Sequence, residues 1–168
     1  MKKILLAIFA IFLFTGCNSK VSDVLQKDNR YITLTQYTQR GQIVKSLETV
    51  ALINATYLNH ILGDNNETKN NEIFIIGVYN SNDYRGYKKG GIFNDHYTLT
   101  MNGMKFTKAK KADDKKLNIE NYPFYNKWMK YYEVYFPHTD SDTLTIVYSN
   151  KTEGNTTLKI KKDLYEIK

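Results

Sequence analysis

The chain has 168 residues, and its 24 lysines and arginines outnumber its 17 aspartates and glutamates, which gives a formal net charge of +7. This length suits one domain with its own hydrophobic core. The single cysteine, Cys17, excludes a disulfide within the chain, so the fold must depend on packing. The 14 tyrosines are typical of strand-rich domains.

The start of the chain has the layout of a secretory signal. Two lysines precede an apolar run from Ile4 to Phe14, and small residues separate that run from Cys17. About a dozen helical residues at about 1.5 Å each cannot cross a hydrocarbon core about 30 Å thick. We therefore predict a signal peptide at 1–16 that is removed, a polar tether at 17–30 and a folded domain at 31–168.

The four residues Phe14-Thr15-Gly16-Cys17 resemble the lipobox of bacterial lipoproteins, in which an aliphatic residue and two small residues precede the lipid-bearing cysteine. Phe14 stands where leucine is usual. The resemblance implies that diacylglycerol is attached to the Cys17 thiol, that a peptidase cuts before this residue and that the new amino terminus is acylated. Several acyl chains, each contributing about 0.8 kcal/mol per buried methylene, anchor a protein durably.

The expected location follows from this anchor. Asn18 comes after Cys17, whereas in lipoproteins of enteric bacteria an aspartate there favours the inner membrane, so the resemblance implies the outer membrane. The domain then faces the periplasm or the cell surface. Removal of residues 1–16 lowers the net charge from +7 to +5, because two lysines leave. Outside the cytoplasm this basic excess favours anionic lipid or glycan surfaces as partners and not nucleic acid.

The rest of the chain indicates strands. Apolar alternation or continuous apolar runs predict them at 31–37, 72–79, 97–101, 104–107, 128–136, 143–149 and 156–160. Asn102-Gly103 supplies the positive φ angles of a two-residue hairpin turn. Residues 42–62 are ambiguous, since they fit both helical spacing and strand alternation, and we favour a strand at 49–58 because its neighbours are β. Residues 80–96 and 108–121 are predicted to be connections, the second of them charged.

Seven or eight short strands with polar turns predict an all-β fold, a two-layer antiparallel sandwich of the immunoglobulin-like type. The run from Thr49 to Asn59 and the last three predicted strands are similar to immunoglobulin-like domains of small surface lipoproteins from host-associated Gram-negative bacteria. A fold by itself does not assign a function.

Two pentapeptides carry a candidate modification. Residues 64–68 and 153–157 both contain an acidic residue, then an asparagine two positions later and a threonine two positions after that. They resemble the acceptor site of bacterial N-glycosylation, which makes Asn66 and Asn155 candidate glycan sites. Such a site must be extended and exposed. The alternative is that these residue types are ordinary turn formers.

Catalytic patterns are weak. The three histidines have no zinc-ligand spacing, and His138, Asp140 and Asp142 fit a solvated turn better than a metal site. Neither a nucleophile elbow nor a phosphate-binding glycine loop occurs in the sequence. We therefore expect no enzymatic activity, no cofactor and no metal.

Aromatic residues crowd the stretch 122–136. Rings can stack on sugars or anchor a protein partner. Because only one face of a sandwich strand meets the core, Tyr131 and Tyr135, which flank Glu133, are predicted to be exposed as a binding surface. Core packing with cross-strand pairing is the alternative.

These features predict a lipid-anchored envelope protein that acts as a non-enzymatic binding or adhesion module for a protein or glycan. A periplasm-facing structural or assembly accessory of an envelope complex is the main alternative. A metal-dependent enzyme is the weakest one.

Overall fold

The computed structural model describes residues 31–83, 89–113 and 117–163, all within the unit Tyr31–Lys168. Helix α1 is described over residues 31–36. The other helices are α2 (Asn59–Leu62) and α3 (Asn66–Asn70), and 3₁₀ turns occupy Gly91–Phe93 and Ile119–Asn121. The strands are β1 (Thr38–Lys45), β2 (Glu48–Tyr57), β3 (Asn71–Asn80), β4 (Tyr97–Met101), β5 (Met104–Lys105), β6 (Lys108–Lys111), β7 (Lys130–Pro137), β8 (Thr143–Asn150) and β9 (Gly154–Lys161).

The strands form two sheets in which all neighbours are antiparallel. One sheet has the order β1-β2-β3-β7-β6 and the other has the order β5-β4-β8-β9. Without β1, these are the A-B-E-D and C′-C-F-G orders of an immunoglobulin domain, and β1 extends the first sheet by one strand. The predicted all-β, two-layer antiparallel sandwich is confirmed.

The core between the sheets follows from period-two alternation. In β8, Leu144, Ile146 and Tyr148 are buried while the residues between them are partly exposed. From the other sheet, Phe74 and Phe136 meet edge to face with ring centroids 5.8 Å apart. Fully burying a side chain of this size stabilises the fold by about 1.5–3 kcal/mol, so this core is the main source of stability.

A second apolar cluster covers the outer face of the five-stranded sheet. Helix α1 contributes Leu34, and the segment between β6 and β7 contributes Ile119, Tyr122 and Met129. They pack with outward-facing sheet residues, namely Ile73, Ile75, Tyr131 and Tyr135. Strand β7 is therefore buried on both faces, which accounts for the rings on both of its faces.

Two predictions about local structure need correction, and the structure decides a third, ambiguous segment. Residues 31–36 form a helix and not a strand, because the buried residues Leu34 and Tyr37 are three apart and share one helical face. The predicted connection 108–121 contains β6, whose lysines are held in the sheet by pairing with β7. The ambiguous segment 42–62 includes the end of β1 as well as β2, and β2 confirms the favoured strand near 49–58.

Candidate functional site

The structure buries the two tyrosines that were predicted to be exposed. Tyr131 and Tyr135 lie under the segment that covers the outer face of the five-stranded sheet. The Glu133 carboxylate between them accepts a hydrogen bond from the Tyr135 hydroxyl and lies 3.0 Å from the ammonium of Lys110. Burial, reinforced by the Glu133 carboxylate, raises the pKa of Tyr135. The prediction of an exposed surface at Tyr131 and Tyr135 is wrong, since both side chains are buried and their hydroxyls have partners within the protein.

The exposed rings lie just before β7, in residues 122–129, which we call the aromatic loop. Trp128 is 72% exposed, Phe124 is 48% exposed and Tyr125 is 38% exposed. Several exposed apolar side chains close together are characteristic of contact surfaces. The loop, and not the strand that follows it, is therefore the candidate binding surface.

Hydrogen bonds and ring contacts hold the aromatic loop in one conformation. The Asn54 amide on β2 donates to the Phe124 carbonyl at 2.7 Å. The Tyr131 hydroxyl accepts from the Asn126 backbone N–H at 2.8 Å, and the Tyr125 and Tyr131 rings stack with centroids 5.5 Å apart. These contacts connect the loop to two strands of the underlying sheet, so its rings are presented by a rigid support.

Two unfavourable features accompany this arrangement. Phe124 has a positive φ of 58°, which costs a residue other than glycine about 1–2 kcal/mol. Asn54 is only 3% exposed, and its Oδ1 has no hydrogen-bond partner among the described residues. Rotating the amide by 180° would not help, because it would place Oδ1 against the Phe124 carbonyl, which is also an acceptor. Backbone strain and an unsatisfied buried polar atom in the same place are typical of a functional site.

A glycine makes room for the support of the loop. A Cβ on Gly77 of β3 would lie 2.5 Å from Cε1 of Tyr131, which is closer than atoms can approach. The Tyr131 ring therefore packs over a backbone position that tolerates no side chain. Because Tyr131 also carries Tyr125 and Asn126, the absence of a side chain at residue 77 sets the height of the loop above the sheet.

Two cationic side chains lie near the rings. The guanidinium carbon of Arg40 is 6.0 Å from the centroid of Phe124, and the ammonium of Lys127 is 6.0 Å from the Trp128 ring. A flat ring beside a cation can stack on an apolar surface while the charge meets an anion. The loop can therefore bind a partner that has an apolar surface beside an anionic group.

A polar cleft of about 280 Å³ lies at one end of the sandwich core. Its centre is the fully buried Glu72 carboxylate, which accepts from the Tyr57 hydroxyl at 2.7 Å and from the Lys162 ammonium at 2.5 Å. The Nδ1 atom of His138 is 3.0 Å from Glu72, and the Thr139 N–H donates to the same carboxylate. Burial and the neighbouring Glu72 raise the pKa of Tyr57.

Most contacts of Glu72 join the ends of different strands, and one more comes from the Asn59 amide of α2 at 3.4 Å. Glu72 is the second residue of β3, Tyr57 ends β2, Thr139 follows β7 and Lys162 follows β9. The cluster thus ties four strand ends together by a buried ion pair, which is a structural arrangement. Within 31–83, 89–113 and 117–163, no three histidine, cysteine, aspartate or glutamate side chains are grouped as metal ligands.

The two candidate glycan sites differ in backbone. Asn66 begins helix α3, and the buried Thr68 hydroxyl donates to the Gly63 carbonyl at 2.9 Å, so the expectation of an extended acceptor is wrong here. Asn155 lies in β9, and both Asn155 and Thr157 are exposed.

The sequence contains a turn signal for the aromatic loop, although its end is difficult to place. Pro123 and Asn126 are turn-forming residues, and they interrupt the aromatic stretch before β7 begins at Lys130. The chain changes direction at a turn, so aromatic side chains there point in different directions and some of them must face solvent. The predicted strand began at Trp128, however, and this placed the boundary two residues too early.

Cys17 lies outside the described residues. None of the helices in the described part of the chain is long and apolar enough to span a bilayer. Comparison of the chain with protein-family models, with curated proteins and with solved structures found no match.

Proposed function

We propose that the chain is a lipid-anchored envelope protein whose sandwich domain is a non-enzymatic binding module. The contact surface is the aromatic loop. The observation that carries this proposal is the rigid presentation of Phe124, Tyr125 and Trp128, which the buried Asn54 and Tyr131 hold out from the sheet. Cys17 carries the lipid, and the outer membrane is the location.

Energetic reasons favour such a loop as a binding site. Large aromatic rings dominate the free energy of association at interfaces, and they have few rotatable bonds to immobilise. A surface that is already ordered loses little further entropy when it binds. The strain at Phe124 and the orphaned oxygen of Asn54 reduce the stability of the folded domain, so a role in binding accounts for their presence.

Photo-crosslinking in cells of the native host tests the contact surface. A photoreactive amino acid is introduced at position 128 and, in a control protein, at Leu47, a fully exposed apolar residue of the β1–β2 turn. We expect covalent adducts with an envelope component from position 128 and none from position 47. Equal adducts from the two positions, or none from 128, would contradict the proposal.

The anchor is tested separately. We expect labelled fatty acid to enter the native chain and not a Cys17→Ala variant, and we expect that variant to leave the membrane fraction. Retention of Cys17→Ala in the membrane would refute lipid anchoring. Trypsin added to intact cells then decides between display and a periplasmic accessory role. Lys127 in the exposed loop is a cleavage site, so digestion in intact cells supports display, and protection until the envelope is opened supports the accessory role.

For glycosylation we favour Asn155 over Asn66. The exposed, extended backbone at Asn155 suits an acceptor site, whereas the Thr68 hydroxyl after Asn66 is already engaged. Mass spectrometry of the protein from its native host is expected to find glycan on the Asn155 peptide alone. Modification at Asn66 without Asn155 would show that the folded geometry does not govern the choice.

A further inference from the structure

The layer that covers the outer face of the five-stranded sheet is also where the described chain begins. Helix α1 places Leu34 in the same apolar cluster as Tyr122 and Met129 of the aromatic loop. The first described residues of the domain therefore lie on the layer that carries the loop. We propose that the partner of the aromatic loop is the anionic lipid surface of the membrane in which Cys17 is anchored.

The exposed apolar side chains of this layer suit a bilayer interface. Tyr31 and Ile32 on α1 are both about half exposed, like Phe124 in the loop, and Trp128 is exposed further. Tryptophan and tyrosine concentrate at the level of lipid headgroups, where a ring meets the acyl boundary and its polar edge stays in water. Exposed apolar side chains thus occur on two separate segments that share one buried cluster beneath them.

The charge beside the rings has the sign that an anionic surface requires. Among the described residues, neither Arg40 nor Lys127 has a carboxylate partner, although each lies 6.0 Å from an exposed ring. Glu133 on this face is paired with Lys110. Other described charged residues of this face include Lys108 and Glu67, which both lie near Tyr135, and Asp113 and Glu120 between β6 and β7. The two unpaired cations beside the rings are therefore available to lipid phosphates.

Because the protein is anchored in the same membrane, weak binding of the loop to the bilayer is enough to keep it docked. Residue 31 lies 14 positions after Cys17, and a chain of that length reaches at most about 50 Å. Covalent attachment converts docking into an intramolecular step, in which the local concentration of the surface replaces intrinsic affinity. A patch of a few rings and two cations can then hold the domain against the bilayer.

This inference rests on the proposed function, because it names the partner of the same loop. Its test uses the full lipidated chain in vesicles of phosphatidylcholine, with or without phosphatidylglycerol. Trp128 is the one tryptophan of the chain, so the emission reports on the loop alone. On the anionic vesicles we expect emission at shorter wavelength and quenching by nitroxide-labelled lipid. Both effects should weaken at high salt, since exposed charges are screened.

Matched variants identify the responsible charges. Each lysine or arginine near an anionic bilayer contributes about 1 kcal/mol, so Lys127→Gln and Arg40→Gln should each lower the ratio of docked to undocked protein about fivefold. Leu47→Ala, on the distant β1–β2 turn, should leave the ratio unchanged.

Solvent-like Trp128 emission on anionic vesicles, with free access to acrylamide, would overturn the inference. If crosslinks from position 128 to a protein or glycan then persisted in cells, the proposed function would stand and only the lipid partner would be wrong. Failure of the proposed function has a different signature, which is the absence of position-specific crosslinks in cells together with solvent-like emission on vesicles.

Discussion

Replacement of Asn54 by alanine should separate the stability of the domain from the order of its aromatic loop. The change removes the hydrogen bond to the Phe124 carbonyl, which contributes about 0.5–1.5 kcal/mol net. It also removes a buried oxygen without a partner among the described residues, whose desolvation costs about 1–3 kcal/mol. Release of Phe124 from its positive φ returns about 1 kcal/mol more. The two gains, about 2–4 kcal/mol together, exceed the loss, so the free energy of unfolding should rise by about 0.5–3.5 kcal/mol.

The loop itself should respond strongly. Without the Asn54 amide, residues 122–129 lose their bond to β2, so amide hydrogen exchange there should become faster and trypsin should cleave after Lys127 more readily. Asn59→Ala is the matched control, because the Asn59 amide donates to the Thr68 and Asn71 carbonyls and accepts from the Ile73 N–H. With no orphaned atom to remove, this control should lose about 2–3 kcal/mol and leave the loop protected.

Urea unfolding followed by far-UV circular dichroism measures both stabilities, and exchange mass spectrometry measures the loop. A loss of stability above about 1 kcal/mol in Asn54→Ala, or unchanged exchange in residues 122–129, would refute the assignment of Asn54 as the residue that holds the loop.

Three further predictions concern packing, charge and pH. Gly77→Ala forces the Tyr131 ring aside and should lower the free energy of unfolding by about 1–3 kcal/mol, which thermal unfolding measures; a neutral result would contradict the close approach. Lys162→Met leaves the Glu72 carboxylate buried without its cation and should cost about 3–5 kcal/mol, whereas adding Glu72→Gln to it should recover part of that loss in a double-mutant cycle; additive costs would refute the coupling. Burial raises the pKa of Tyr148 above its ordinary value of 10, so the unfolded chain loses this proton first. The contribution of Tyr148 to stability should therefore be complete below about pH 10 and decrease above it by up to about 1.4 kcal/mol per pH unit, so that the whole domain loses stability less steeply in Tyr148→Phe; urea midpoints at increasing pH check this.

Patterns that depend on neighbours in the chain could be read directly. The alternation of Leu144, Ile146 and Tyr148 predicted β8, because period two places these side chains on one face of any strand. Asn102 and Gly103 have φ angles of 48° and 80°, as a two-residue hairpin turn requires. The β1–β2 turn was not predicted, since its positive φ angles belong to Ser46 and Leu47, which carry no turn signal of that kind.

Tertiary contacts alone decided which rings are exposed. Period two indicates that Tyr131 and Tyr135 share a face, but it does not reveal that α1, Ala112 and residues 117–129 cover that face. The partners of Glu72 arise in the same way, because Lys162 is 90 residues away along the chain. Local patterning therefore specified most of the strands and the two-layer architecture, but not β1, β6 or helix α1. The rigid aromatic loop and the ion-paired end of the core depend on long-range packing, since burial is a property of the elements that meet a surface and not of the residues that form it.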